Sequence, residues 1–310
     1  MLFEQAKSSL RNATQKPDAS PIRFVRPADS VLLAAATIHG FPVGGVRFST
    51  EAHGYADNNG LLSVLGGTYT PPQRGGQQGA TYTKLTRLAT HQEVGACNAI
   101  VNDLFYEQLE GYSRRGIRLL CKVVGELHDN VASHAKGAGF SCAQVYRSGA
   151  NSRPVGKQLQ FAIADAGCGM LSNVARMKRE MKCDLEAIEW CLVRGNTTAA
   201  ASHDSWDQRV PEDSIVSPFP DSVKTVRNED HHLGEGLWQL QELMKLFGGT
   251  LSILSGNGEL HLSDSKQDRL KTDFHWQGTA IGFQIFIPTD DTKLNDSNVE
   301  LEKLAERMGI

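Results

Sequence analysis

The sequence predicts a mixed α/β protein. Three observations carry that expectation: an alternating apolar pattern over QLQFAIAD at 158–165, a long amphipathic helix over about 114–136, and two apolar strand-like runs, TLSILS and TAIGFQIFIP, towards the C-terminus. The chain has 310 residues, 40% hydrophobic and 22% charged, the mix of a globular protein of one large domain or two ordinary ones. That length buries a substantial core without disulfides or structural metal. The net charge of −3 gives no global pull towards nucleic acid or an anionic membrane.

Taken in order, residues 1–20 read as a polar lead-in, either a short helix or frayed. Residues 21–85 read as a small α/β unit. IRFV is a short strand broken by Pro27, SVLLAAATIHG a helix capped at Gly40, GGVRFST a second strand and NNGLLSVLGG a short helix. GGTYTPPQRGGQQGA, within it, has linker composition. Helices are expected from about His91 to Tyr112 and from about Arg114 to Lys136, the second stopped by Gly137 and Gly139. A strand over 158–165 and a helix over LEAIEWCLV follow. Residues 196–232 are polar and aperiodic, with Pro211, Pro218 and Pro220, and so long a loop inside a domain is usually functional or disordered. GLWQLQELMKLFGG is a helix closed by Gly248 and Gly249, the two final strands follow, and 291–310 form an amphipathic helical tail.

Six cysteines occur with no CxxC pair, several inside apolar runs, which suits reduced thiols in the cytoplasm rather than a disulfide framework or zinc site. The N-terminal MLFEQAKSSLRNATQK lacks the apolar stretch of a signal peptide, and no apolar run approaches the roughly 20 residues of a membrane span.

The segment ELHDNVASHA places Glu126, Asn130 and His134 four residues apart. At about 100° per residue, Asn130 falls near 40° and His134 near 80° from Glu126. Val123, Val124, Leu127 and Val131 occupy the adjoining sector, while Lys122, Asp129 and Lys136 lie elsewhere. The three polar residues therefore run along the border of the buried face, where a pocket wall would be; a locally hydrogen-bonded helix edge is the plainer alternative.

Three further elements follow. ADAGCGM (164–170) ends a strand on Asp165, with Gly167 and Gly169 allowing a tight turn; an Asx turn is the plainer alternative. LGEGLWQLQELM (233–244) sets Gly234 and Gly236 before a helix, where free N–H groups attract phosphate oxygens. No GK[ST] follows, so it is not a Walker motif. In QGTAIGFQIFIP, Gly278 and Thr279 open the last strand.

In this order the segments resemble the GHKL superfamily, the fold shared by DNA gyrase B, the heat-shock chaperone ATPases, sensor histidine kinases and MutL. ELHDNVASHA looks like its N box, ADAGCGM its G1 box, LGEGL its G2 box and QGT its last nucleotide-contacting strand. The resemblance spans about 115–290. It implies a two-layer α/β sandwich of the Bergerat type, a mixed sheet with helices on one face, over 86–290. It implies ATP with Mg²⁺, Glu126 as general base and Asn130 as the magnesium ligand. His134 would approach the phosphates, Asp165 would read the adenine amine, Gly167 and Gly169 would make room for the base, and Gly234, Gly236 and Leu237 would hold the phosphates. Thr279 would support Asp165. The segment 196–232 falls where the family keeps its lid, with Lys224 or Arg227 near the γ-phosphate.

Trp238 and Gln239 depart from the GxGLGL of many kinase members, and His91-Gln92-Glu93 makes a poor phosphoacceptor motif. IRFVRPADSVLLAAATIHG loosely resembles a STAS-type module, a pairing similar to that of regulatory ATPases acting on protein partners. The expected function is ATP hydrolysis or γ-phosphate transfer to a protein, with a regulatory protein partner and room for a homodimer. The alternative is a nucleotide-gated interaction module with slow turnover. A metal-dependent hydrolase using Glu126, His128 and His134 fits less well, because His128 points about 200° away from Glu126 and HExxH spacing is absent.

Overall fold

The computed structural model describes residues 2–15, 20–69, 81–134, 138–148, 156–176, 180–196, 236–263, 266–288 and 292–310. In chain order the elements are α1 (Glu4–Gln15), α2 (Pro27–Ile38), α3 (Thr50–Asn58), α4 (Leu61–Leu65), β1 (Thr86–Leu88), α5 (His91–Gln108) and α6 (Arg114–His134). There follow β2 (Gly139–Ser148), β3 (Gly156–Asp165), α7 (Gly169–Ala175), α8 (Asp184–Cys191), α9 (Gly236–Leu246), β4 (Thr250–Ser263), β5 (Lys266–Pro288) and α10 (Thr292–Arg307).

The five strands form one sheet in the order β1-β2-β3-β5-β4, and every pairing between them is antiparallel. The expectation of a mixed sheet is therefore corrected. Helices carry the chain from β1 to β2 and from β3 to β4, and each return lands beside a strand running the other way.

The expectation of helices on one face is corrected too. Along β3, Leu159, Phe161 and Ile163 pack into one core with α5, α6, α9 and α10, while Ala162 and Ala164 pack into another with α1–α4. In the sequence the alanines look like the weak phase of an alternation. They are small apolar residues against which a second helical layer packs closely. A sheet apolar on both faces must be covered on both.

That second layer is built from α1–α4. The expected strands at 22–25 and 44–50 reduce to one isolated parallel bridge, Ile22↔Phe48, so the described residues 21–69 of the stretch read as a small α/β unit are mainly helical and pack against the main sheet. The helix α2 begins with Pro27 at its first turn, and its Asp29 carboxylate accepts the Arg26 N–H (3.1 Å). Residues 27–36 of α2 are buried without exception, the mark of a helix enclosed on all sides. Of the two states expected for the polar lead-in, the short helix is the one found, as α1, and it is docked. Phe3 and Leu10 are buried in the second core, and Lys7 of α1 forms a buried ion pair with Glu259 of β4.

On the front face, Thr90 caps α5 by accepting the Glu93 N–H (3.2 Å), and Glu93 returns a bond to the Ala89 N–H (3.0 Å). The expected tail helix, α10, is docked: Leu301 and Leu304 are buried, and Asn298 accepts the Ser113 N–H (2.6 Å) ahead of α6. All six cysteines are free thiols, and among the described residues no helix is long and apolar enough to cross a membrane.

Candidate functional site

Five of the sequence-predicted residues meet at one end of β3. A cavity of about 140 Å³ opens there, lined among others by Asn130, Asp165, Gly169, Leu237 and Thr279. Its volume is close to that of a cavity of about 150 Å³ that admits benzene, so one flat ring fits. The remaining walls are mostly apolar, supplied by Leu127 and Val131 of α6, Ile163 of β3, Met170 of α7 and Ile281 of β5. Few polar groups in an apolar concavity is the usual make-up of a small-molecule site.

Asp165 is the last residue of β3 and is 8% exposed. One carboxylate oxygen accepts the Gly167 N–H (2.7 Å). Burial pushes its pKa up to about 6, and hydrogen bonds from the Gly167 and Thr279 backbones pull the other way. Such a carboxylate is poised to be neutralised or to accept a hydrogen bond from a ligand amine.

Two glycines make this geometry possible. A side-chain carbon at Gly278 would stand 1.9 Å from the Asp165 carbonyl oxygen, so only glycine lets β5 pass there. Gly169 has φ +75° and would bring a Cβ within 2.6 Å of the Gln277 carbonyl oxygen. Ser255, which the sequence reading missed, joins the two segments. Its buried hydroxyl donates to the Gly278 carbonyl (3.0 Å) and accepts the Met170 N–H (2.9 Å) at the start of α7. The only signal was a serine inside the apolar run TLSILS.

Immediately after Ser255, β4 breaks register through Gly256 and Gly258. A Cβ on Gly256 would collide with the Asp184 carboxyl at 2.1 Å, and that carboxyl accepts the Asn257 N–H (3.0 Å). The bulge thus pins the start of α8, whose Cys191 lines the cavity.

On α6, Leu127 and Val131 are buried, Glu126 is half-buried and Asn130 is exposed into the cavity mouth, so the stripe does lie on the border of the buried face. A Cβ on Gly236 would come within 2.7 Å of a Glu126 carboxylate oxygen, which brings the first residue of α9 directly against that side chain. His134 is the last residue of α6, and its side chain lies outside what is described. Gly234, Lys224, Arg227 and all but the first residue of the segment 196–232 also lie outside the described residues.

His128 has a different role. It is fully buried, its Nδ1 faces Asn98 Oδ1 (2.5 Å) and its Nε2 faces Ser141 Oγ (2.8 Å). Burial lowers its pKa to about 3, so it is neutral, and it ties α5, α6 and β2 together. It is committed to the core and cannot share a ligand with Glu126.

Among the described residues the cavity lining contains no cationic side chain. Beside it, the Arg194 guanidinium stacks on the Trp238 ring at 4.7 Å, linking the stretch after α8 to the residue that follows Leu237. The departure from GxGLGL noted in the sequence thus provides an aromatic platform for a cation.

No protein-family model matches the chain, and neither a curated protein nor a solved structure matches it.

Proposed function

We propose that the protein binds ATP with Mg²⁺ in this cavity and hydrolyses it or transfers its γ-phosphate to a protein, as a GHKL-type ATPase built on a Bergerat-like sandwich. The single observation that carries the proposal is convergence. Asn130, Asp165, Gly169, Leu237 and Thr279, from four separated segments, share one cavity, and Glu126 abuts Gly236.

The residues fit the ligand in three ways. The buried Asp165 carboxylate, with an apolar slot beside it, matches an exocyclic amine on a flat base. The start of α9, where Gly236 leaves no side chain between backbone and Glu126, matches a phosphate turn. Asn130 presents a hard amide oxygen one helical turn from Glu126, and Mg²⁺ takes such a ligand beside phosphate and water oxygens. When bound, Mg²⁺ would neutralise phosphate charge that two nearby carboxylates oppose. Glu126 would orient or deprotonate the nucleophile, and Arg194, held on Trp238, would add positive charge beside the phosphate wall.

The test uses two variants and two readouts. Glu126→Ala should bind ATP·Mg²⁺ in calorimetry and lose turnover. Asp165→Asn should lose ATP affinity by about tenfold or more, the cost of one hydrogen bond to a charged group. ATP binding unaffected by Asp165→Asn would remove the base-reading role, and full turnover in Glu126→Ala would remove the general base.

A further inference from the structure

The ridge of α6 that carries Glu126 and Asn130 continues towards the N-terminus of the helix as Lys122, Arg118 and Arg114, each four residues from the next. Successive members of such a row stand about 6 Å apart along the axis and about 40° further round it, so the three cations share one side of α6. Arg114 and Arg118 are exposed and Lys122 is half-buried.

This row runs against helix electrostatics. Cations at i, i+4 repel one another, and the N-terminal turns of a helix favour acids. The first turn of α6 holds no acid. Among the described residues Arg114, Arg118 and Lys122 enter no salt bridge. Acids on the neighbouring helices are engaged elsewhere: Glu302 and Glu306 of α10 pair with Arg115, and Glu242 of α9 pairs with Lys245. Glu126 and Asp129 come only where the row ends.

The other flank is α5, joined to α6 by the short connection 109–113 and antiparallel to it. Asn98 of α5 faces His128 Nδ1 (2.5 Å), and a Cβ on Gly125 would touch the same amide (3.7 Å). At about 100° per residue, Gly95, Ala99, Asn102 and Tyr106 fall within about 100° of Asn98, while Asp103, Glu107 and Glu110 fall about 120–180° away. The edge of α5 beside the row is therefore neutral. Two turns along α5 from Asn98, Tyr106 comes level with Arg118, and it is 39% exposed. A departure from local helix rules with no intramolecular compensation is expected at a functional surface.

We propose that Arg114, Arg118, Lys122 and Tyr106 form a docking surface for an acidic helix of a protein partner. Carboxylates at i, i+4 on that helix match the spacing of the row, and an apolar side chain beside them rests on Tyr106. Tyr and Arg are the residues enriched at the energetic centres of interfaces, and complementary charge sets register. The strip is one helix wide and bounded by the acids of α5 and α10. That boundary disfavours a nucleic-acid backbone, whose binding depends on many neutralised phosphates. The row ends one turn from Glu126, so a docked partner lies beside the phosphate end of the proposed nucleotide site. That relation rests on the ATP reading; the docking does not.

The experiment is fluorescence anisotropy on the full chain without nucleotide. The probe is a fluorescein-labelled Ala-rich helical peptide with Glu at i, i+4 and i+8 and a Leu on the adjoining face. The other arms are the same composition with the Glu positions scattered round the helix, the peptide with Lys for Glu, oligothymidylate, and phosphatidylserine vesicles. The in-register acidic peptide should bind best and weaken as salt rises. Arg118→Glu should weaken it about tenfold or more while raising the melting temperature, because it turns both i, i+4 repulsions into attractions. A merely structural role for Arg118 would lower binding and melting temperature together. Tyr106→Ala should also weaken binding about tenfold. No binding, equal binding of the scattered peptide, undiminished binding by Arg118→Glu, a lower melting temperature for that variant, or preference for the oligonucleotide or the vesicles would overturn the proposal. ATP calorimetry on Arg118→Glu keeps the two readings apart: ATP affinity equal to that of the wild type supports a separate docking role, and a selective loss there would overturn it.

Discussion

The two ends of β3 use the same backbone device for opposite purposes. At each end a glycine lets strands crowd: Gly278 against the Asp165 carbonyl, and Gly156, where a Cβ would lie 2.4 Å from the Ile287 carbonyl oxygen. At the Asp165 end, α6, α7 and α9 close over the strand, and a carboxylate is withdrawn from water. At the Gly156 end the backbone is buried too, but the paired Arg147 and Lys157 keep their charges exposed to solvent, Lys157 donating to Gln108 of α5 (3.1 Å). The difference teaches that charge in this protein is expensive only where helices cap the sheet. Holding Asp165 ionised at neutral pH, against a shift from 3.8 to about 6, costs about 3 kcal/mol. Arg147 and Lys157, screened by water, cost a fraction of that.

The most severe way to break the comparison is Gly278→Ala. The new carbon cannot occupy its place without moving Asp165 or β5, so unfolding free energy should fall by about 3 kcal/mol or more in denaturant titration. Wild-type stability in that variant would mean the crossing at the site is not close-packed.

A subtler measurement varies pH. Asp165 has a higher pKa folded (about 6) than unfolded (3.8), so between these values the folded state holds the proton more firmly. Its ionisation penalty is therefore absent below about pH 4, and this group's contribution to stability declines as pH rises through about 6. Nucleotide affinity should run the other way, weakening as pH falls below about 6, because an amine needs the ionised acceptor. The two trends crossing in opposite directions at one carboxylate would sharpen the assignment. An affinity that stays flat from pH 7 to about 5 would count against it, and Asp165→Asn should abolish both trends.

The smallest effect belongs to the other end. Arg147→Glu converts the cross-strand repulsion with Lys157 into an opposite-charge pair and should raise stability by about 0.2–1 kcal/mol, seen as a slightly higher melting temperature. A clear destabilisation would show that Arg147 has a structural partner after all.

Much of the site was legible because its parts are local patterns. The i, i+4 spacing of Glu126 and Asn130 on α6 already separates them from the apolar face, and Asp165 with Gly167 and Gly169 marks a strand running into a tight turn. Ser255 was not legible. Its partners, Met170 and Gly278, lie 85 and 23 residues away, and nothing in TLSILS distinguishes a serine that bridges two turns from one facing water. The strand β2 and the short β1 escaped notice for a related reason. GFSCAQVYRS mixes polar and apolar residues because its two faces meet different helical layers, so no single period stands out. The bulge at Gly256 similarly depends on Asp184, 72 positions earlier.

By itself, the sequence determined the helices α5, α6, α8, α9 and α10, the strand β3, parts of β4 and β5, and side chains that border a pocket, because periodicity and glycine chemistry act over a few residues. Only the tertiary structure decided that α1–α4 cover the back of the same sheet instead of forming a unit of their own. That choice rests on the small alanines of β3 accepting a fully buried α2 and on Lys7 meeting Glu259 across the core. Contacts between residues so far apart in the chain are governed by how two apolar surfaces match in shape, and no local pattern records that match.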